Sequence, residues 1–177
     1  MCVLARYLCV AALAALGPGL WAQSLPEVRC SGGLQPASTI VPQATEQHGL
    51  SFFLSSGSVI SGKFEGIKIT LSGTVTTADW TVAKLYEDVN HDSAISAGDT
   101  LLSTASTLSG GKFAFTGFSK SIASGTFQPN ACMVSLTTSA GATLGHTFKL
   151  SIAAAADVTV TGGYPVQVYG AGGAGTA

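Results

Sequence analysis

Thr147-Phe148-Lys149-Leu150-Ser151-Ile152 alternates polar and apolar side chains residue by residue. In a β-strand successive side chains point to opposite faces, so this stretch places three large apolar residues on one face and polar residues on the other. Lys112-Phe113-Ala114-Phe115 shows the same alternation. Strict alternation predicts half-buried strands, and therefore a sheet that covers a hydrophobic core with one face.

Similar short runs, rich in Val, Ile, Thr and Phe, recur along most of the chain and are bounded by Gly, Ser, Pro or Asp. No stretch shows the sustained 3.6-residue apolar spacing of an amphipathic helix. Four alanines at 153–156 allow a helix over 151–157 as an alternative, but they are too few to hold one alone. Ten short strands separated by turn residues predict an all-β fold, specifically an antiparallel immunoglobulin-like β-sandwich. The predicted strands are 38–41, 49–55, 65–76, 80–87, 101–104, 112–118, 131–138, 146–152, 157–161 and 166–169.

The first 22 residues have the order of a secretory signal peptide. Arg6 is followed by an apolar run over 7–16, then by a Gly-Pro-Gly break and a small residue at Ala22. We expect cleavage after Ala22 and a secreted, extracellular or cell-surface protein. A membrane anchor is the alternative, but Pro18 interrupts the apolar run before it reaches the length that spans a bilayer. No later stretch of the sequence is apolar over a length that could span a bilayer, so no membrane span is expected after cleavage of the signal peptide.

Past the signal peptide, the composition divides the chain into three segments. Residues 23–37 are interpreted as an N-terminal linker, and residues 38–169 as the sandwich domain. Residues 170–177 contain only Gly, Ala and one Thr, which indicates a flexible tail or a linker into further sequence.

Charge is scarce along the whole chain. Eight basic and nine acidic residues give a net charge of -1, and only 10% of residues are charged, whereas about a quarter is usual. This balance excludes nucleic-acid binding through a basic patch. It also leaves little repulsion between copies, so self-association through edge strands is expected alongside contacts with other surface proteins.

Two cysteines remain after signal cleavage, Cys30 and Cys132. In an oxidising compartment they could form a disulfide with each other. Alternatively Cys132, on the apolar face of a predicted strand, is a small core residue, and Cys30 cross-links to another chain. The sequence leaves both alternatives open.

Residues 87–99 hold four of the nine acidic side chains. Counted from Asp88 as position 1, side chains with oxygen atoms fall at positions 3, 5, 9 and 12, and position 7 offers its backbone carbonyl. This is the ligand spacing of a 12-residue EF-hand-type calcium loop. Calcium takes six to eight hard oxygen ligands, so this donor set suits it. The predicted calcium ligands are Asp88, Asn90, Asp92, Ala94 through its carbonyl, Ser96 through a water molecule, and Asp99.

Two positions depart from the EF-hand pattern. Ser93 occupies position 6, where Gly normally supplies a positive φ, and a non-Gly residue there costs on the order of 1 kcal/mol. Asp99 at position 12 replaces the usual Glu and has a shorter side chain. The alternative to a calcium site is an acidic, solvated hairpin, because Asp, Asn, Ser and Gly are common turn residues.

Residues 82–92 read Val-Ala-Lys-Leu-Tyr-Glu-Asp-Val-Asn-His-Asp, and Gly-Asp-Thr-Leu-Leu follows at 98–102. Together with 147–152, they resemble a recurring immunoglobulin-like β-sandwich module of bacterial secreted and cell-surface proteins. In that module a dockerin-like Asp-x-Asn-x-Asp-Gly loop follows a strand reading Val-x-Leu-Tyr-x-Asp. The resemblance covers residues 38–161. It implies a non-catalytic structural or adhesive module of the cell surface or extracellular matrix, with a calcium-braced loop.

A carbohydrate-binding accessory module is the alternative function, with a glycan as its partner. Such a module needs aromatic side chains exposed as a platform, although a sandwich tryptophan is more often in the core. The candidate platform residues are Trp80, Tyr86, Tyr164 and Tyr169.

The sequence contains no recognisable catalytic constellation, so we expect no enzyme activity. The three histidines are scattered singly and do not suggest a zinc cluster or a base beside a serine. Asp79 and Asp157 are candidates for a glycosidase pair, but nothing in the sequence brings them together, and we expect both isolated carboxylates to be solvated. No catalytic or cofactor-binding residue is assigned.

Overall fold

The structure, a computed structural model, describes residues 28–32, 38–39, 44–56, 62–122 and 130–169. The predicted signal peptide (1–22) and the Gly/Ala-rich tail (170–177) lie outside the described residues. No helix within the described ranges is long and apolar enough to cross a membrane.

The described residues form twelve strands and one 3₁₀ turn, so the predicted all-β fold is confirmed. The strands are β1 (Val28–Gly32), β2 (Ser38–Thr39), β3 (Glu46–Ser56), β4 (Lys63–Gly73), β5 (Trp80–Glu87), β6 (Thr100–Ala105), β7 (Lys112–Phe115), β8 (Lys120–Ser121), β9 (Ala131–Thr138), β10 (Thr147–Ser151), β11 (Val158–Val160) and β12 (Val166–Tyr169). The 3₁₀ turn, Ala155–Asp157, is all that forms of the alternative helix over 151–157.

Strands β5, β9 and β12 have the predicted bounds, whereas β1 and β8 were not predicted. Strand β1 lies in the segment 23–37 that the sequence assigned to a linker. It pairs antiparallel with β3 and parallel with β12. Val28 and Cys30 on β1 are fully buried, so the strand is part of the core. Two apolar positions in five residues are too few for sequence periodicity to reveal a strand.

Two sheets, mostly antiparallel, build the molecule. The first has the strand order β12-β1-β3-β9-β5-β6. The second is centred on β4, which pairs with β10 and β11 along one edge and with β7 and β8 along the other, while β2 pairs with β10. The acidic segment 88–99 connects β5 to the edge strand β6 of the first sheet.

The inward faces of both sheets contribute to one hydrophobic core. Phe113 and Phe115 on β7 are fully buried while Ala114 between them is exposed, as their alternation predicts. Trp80 from the first sheet packs edge-on against Phe113, with ring centroids 4.8 Å apart. Burial of each large side chain is worth about 1.5–3 kcal/mol, so this core supplies the main driving force for the fold.

Cys30 and Cys132 are buried free thiols. They lie on β1 and β9, and β3 runs between these strands, so two inter-strand spacings of about 4.8 Å separate them. A disulfide requires Cα atoms within about 7 Å, which explains why the pair is not formed. Burial raises the pKa of Cys30 to about 12 and also raises the pKa of Cys132. Both residues therefore serve as small core residues.

Candidate functional site

The acidic loop is anchored at the end of β5. Glu87, the last residue of β5, pairs with Thr100 of β6 and forms an ion pair with Lys120 of β8 in the second sheet. The backbone N–H of Asp88 donates to the Ala131 carbonyl at 3.0 Å. The first residue of the loop is therefore tied to the sheet, while the rest projects beyond it.

Asp88 is the organising residue of the loop. Only 3% of its surface is exposed. One carboxylate oxygen accepts the backbone N–H of Asp92 at 3.2 Å, and the other accepts that of Ser93 at 2.9 Å. Among the described residues, no lysine or arginine forms an ion pair with Asp88. In the part of the chain that the structure describes, the loop thus wraps around a buried carboxylate that two backbone N–H groups orient.

Two residues of this loop have left-handed backbone conformations: His91 with φ of 60° and Ser93 with φ of 57°. The second is position 6, where an EF-hand loop requires a positive φ. The backbone thus adopts the expected turn although Ser93 carries a Cβ. The conformation costs the folded protein on the order of 1 kcal/mol.

The predicted ligands fall into two groups. In the first, the Asn90 amide donates to Asp92 Oδ2 at 2.8 Å, and Asp92 Oδ1 accepts the Ala94 N–H at 2.8 Å. These contacts lie next to the Asp88 carboxylate, whose Oδ1 also accepts the Asp92 N–H. Asn90, Asp92 and Ala94 are exposed, so their side chains are at the solvent side of the loop.

Asp99 organises the second group. Its Oδ2 accepts both the backbone N–H of Ser96 at 2.7 Å and the Ser96 hydroxyl at 3.0 Å. Its Oδ1 accepts the N–H of Val89 at 3.2 Å. Asp99 therefore links position 2 of the loop to position 9 and closes it.

The donor set has the hard-oxygen chemistry that calcium prefers. In the described part of the chain, however, no three His, Cys, Asp or Glu side chains converge on a common point. A coordination sphere around Asp88 would require Asp92 and Asp99 to turn toward it, and neither side chain is buried. Each carboxylate oxygen that accepts one N–H keeps a lone pair for a metal.

A cleft of about 40 Å³ lies beside Asp88. Ser51, which lines this cleft, is in contact with His48: the ring Nε2 lies 2.8 Å from the Ser51 hydroxyl. The sequence did not suggest a histidine beside a serine. Burial lowers the pKa of His48, and a backbone hydrogen bond with Leu50 and the charge of Asp88 act in the opposite direction. The cleft is lined by Ser51, Phe52, Phe53, Asp88, Ser93, Ala131 and Cys132.

Asp79 is a polar centre that sequence reasoning missed, since we expected a solvated carboxylate and it is fully buried. The carboxylate accepts the N–H and hydroxyl of Thr76 at 2.6 and 2.8 Å, the N–H of Thr143 at 2.7 Å, and Nδ1–H of His146 at 2.8 Å. The Thr143 hydrogen bond contributes most to a lowered Asp79 pKa, followed by those from His146 and Thr76. The Thr-x-x-Asp turn was the only local signal.

Asp157, also expected to be solvated, is buried as well, and both of its oxygens bind Lys112 Nζ, at 2.6 and 2.7 Å. The pair joins β7 to the turn before β11. Neither carboxylate is solvated as expected, because each meets a partner from another strand or loop.

The four candidate platform aromatics do not form one surface. Trp80 belongs to the core, and Tyr164 packs against it. Tyr86 donates its hydroxyl to Glu46 at 2.9 Å, whereas Tyr169 is 43% exposed. Tyr86 on β5 and Tyr169 on β12 are separated by three intervening strands, or about 19 Å.

Comparison with protein-family models found no family that matches the chain, and comparison with curated proteins found no matching relative. Function is therefore inferred from the geometry of the loop and its surroundings.

Proposed function

We propose that this protein is a secreted or cell-surface module of immunoglobulin-like β-sandwich type, with a structural or adhesive role and a loop that binds calcium. The observation that carries the proposal is the buried carboxylate of Asp88, held by the N–H groups of positions 5 and 6 of a loop with EF-hand spacing. A buried charge is costly unless it is paired. A divalent cation supplies the counter-charge that the loop itself lacks.

Asp88, Asp92 and Asp99 would provide carboxylate oxygens, and Asn90 an amide oxygen. Ala94 would add its carbonyl, and Ser96 a water-mediated contact. Two like charges about 4 Å apart repel by roughly 1 kcal/mol even in water. Bound calcium supplies positive charge that reverses this repulsion and braces the loop against the sheet.

The architecture supports a sandwich module of this kind. Two mostly antiparallel sheets share one core. The first and last of the described strands along the chain, β1 and β12, pair with each other at one edge of the first sheet. The loop stands at the opposite edge of that sheet, between β5 and β6. A braced loop at a sheet edge presents a fixed surface, which suits a role in adhesion or in a matrix.

Isothermal titration calorimetry tests the calcium site. We expect calcium uptake at millimolar concentration or below, the range of extracellular modules. Asp88→Asn keeps the shape of the side chain but removes its charge, and should abolish the binding heat. Glu65→Gln removes one negative charge outside the loop, and should leave it unchanged. A wild-type protein that takes up no calcium at millimolar concentration would favour the solvated hairpin.

Export is tested separately by N-terminal sequencing of material from the culture medium. We expect a mature chain that begins near Gln23. Recovery of the intact N-terminus in a soluble cytosolic fraction would contradict the proposed location without bearing on the calcium site.

A further inference from the structure

Strand β3 brings a histidine and a serine into contact on its outer face. Leu50 and Phe52 point into the core, so Ser51 between them points to the opposite face. A register shift in the pairing with β9 falls between His48 and Leu50. The ring of His48 meets Ser51 across this irregularity, with 2.8 Å between Nε2 and Oγ. A serine hydroxyl within hydrogen-bond distance of a histidine ring nitrogen is the arrangement that a nucleophile and its general base require.

The surroundings of His48 suit a general base, a group that accepts a proton. The pKa of His48 lies below its usual value because the ring is partly buried, so the ring is neutral near pH 7 and can accept a proton. The backbone hydrogen bond with Leu50 and the negative charge of Asp88 both favour the protonated ring. They would stabilise the imidazolium after it takes a proton from Ser51.

Ser51 also faces space for a small group. It lines the cleft of about 40 Å³ together with Asp88 and Ser93. One water molecule needs about 10–15 Å³ by the same measure, so the cleft accommodates a few atoms beyond a single water. Phe52, Phe53 and Ala131 add apolar lining. A cleft of this size suits a small acyl group such as acetyl.

We propose that Ser51 is a nucleophile that accepts a small acyl group from an ester, with His48 as its general base. Ser51 Oγ attacks the carbonyl carbon while His48 Nε2 takes the hydroxyl proton. The bond to the alcohol breaks, and the alcohol leaves with that proton, so that an acyl ester of Ser51 remains. Water then releases the acid in a second step, with His48 again as base.

The test uses the full chain and p-nitrophenyl acetate. We expect release of p-nitrophenol. In samples quenched with acid before water releases the acid, we expect the mass increase of one acetyl group and an ester that peptide mapping places on Ser51. Ser51→Ala should lose this modification. His48→Gln should slow it by roughly 100-fold or more, since general-base catalysis contributes about that much. Ser55→Ala, a change at another buried serine of β3, is the matched control and should react like wild type.

A fluorophosphonate added to the wild-type protein provides a readout that does not depend on any variant folding. It should modify Ser51 in preference to the other serines. Acetylation confined to lysines, an unmodified Ser51 with the fluorophosphonate, or an equal rate in His48→Gln would each overturn the proposal. All of these measurements are made without added calcium, so their outcome is distinguishable from that of the calcium titration.

Discussion

Asp79 and Asp88 flank the two ends of β5, and both carboxylates are buried. Asp79 accepts hydrogen bonds from Thr143 and His146, which lie 64 and 67 residues away in the sequence. Within the described residues, the Asp88 carboxylate accepts hydrogen bonds from Asp92 and Ser93, four and five positions further along its own loop. One carboxylate is a clamp between distant segments, and the other is the centre of a local turn.

The difference shows how the partners of a buried charge decide its role. The Asp79 carboxylate accepts four hydrogen bonds, from Thr76, Thr143 and His146, so both of its oxygens are held by donors within the fold. The partners of Asp88 are neutral N–H groups, so its charge remains available to a cation. Loss of Asp79 releases the loop between β9 and β10, whereas loss of Asp88 relaxes one hairpin.

The largest effect is therefore expected for Asp79→Ala. Removal of the carboxylate leaves the N–H groups of Thr76 and Thr143 without an acceptor and releases His146. Thermal unfolding should show a greater loss of stability than any single substitution in the 88–99 loop. His146→Gln, which removes only one of the partners, should cost less. Equal melting temperatures for Asp79→Ala and Asp88→Ala would contradict the distinction between clamp and turn.

Acid should weaken the Asp79 clamp. Its pKa in the folded protein lies below the ordinary value of 3.8, so its stabilising effect is fully present above about pH 4. As pH falls from there toward the folded-state pKa, that contribution is progressively lost. The difference in melting temperature between wild type and Asp79→Asn should thus shrink as pH falls below about 4. If this difference in melting temperature stays constant from neutral to strongly acidic pH, the ionised Asp79 carboxylate does not stabilise the fold as proposed.

Added calcium should raise the stability through the 88–99 loop and not through Asp79. At a hundredfold excess over the dissociation constant, it should stabilise the wild-type protein by about 2.7 kcal/mol. Asp92→Ala should abolish this gain because it removes a direct ligand, while Ser96→Ala should reduce it less because its contact runs through water. Asp79→Asn should keep the full gain, measured by calorimetric melting with and without calcium. A gain that is lost in Asp79→Asn but kept in Asp92→Ala would place the site elsewhere.

The smallest effect is expected for Ser93→Gly. Glycine adopts the φ of 57° without strain, so the substitution removes a strain energy of about 1–2 kcal/mol from the folded protein. It also increases the conformational entropy of the unfolded chain, which offsets part of this gain in stability. The net result should be about 0.5–1 kcal/mol of added stability and tighter calcium binding. Chemical denaturation measures the first and calorimetric titration the second. A less stable glycine variant would show that the turn is not strained by serine.

Local composition located some strands well. Residues 80–87 and 131–138 were predicted to the residue, because each is an eight-residue run rich in apolar and β-branched side chains that polar turn residues bound on both sides. The two-residue strand β8 gave no such signal. Spacing along the chain also predicted the left-handed turn at Ser93, since the turn is formed by neighbouring residues.

The sequence by itself determined the all-β class, the alternating core positions and the oxygen spacing of the 88–99 loop, because each depends on residues a few positions apart. Tertiary structure alone decided that Asp79 meets His146, that Lys112 meets Asp157, and that β3 separates Cys30 from Cys132. These outcomes depend on which strands become neighbours. Strand order is set by burial of the whole core, and no local pattern records it.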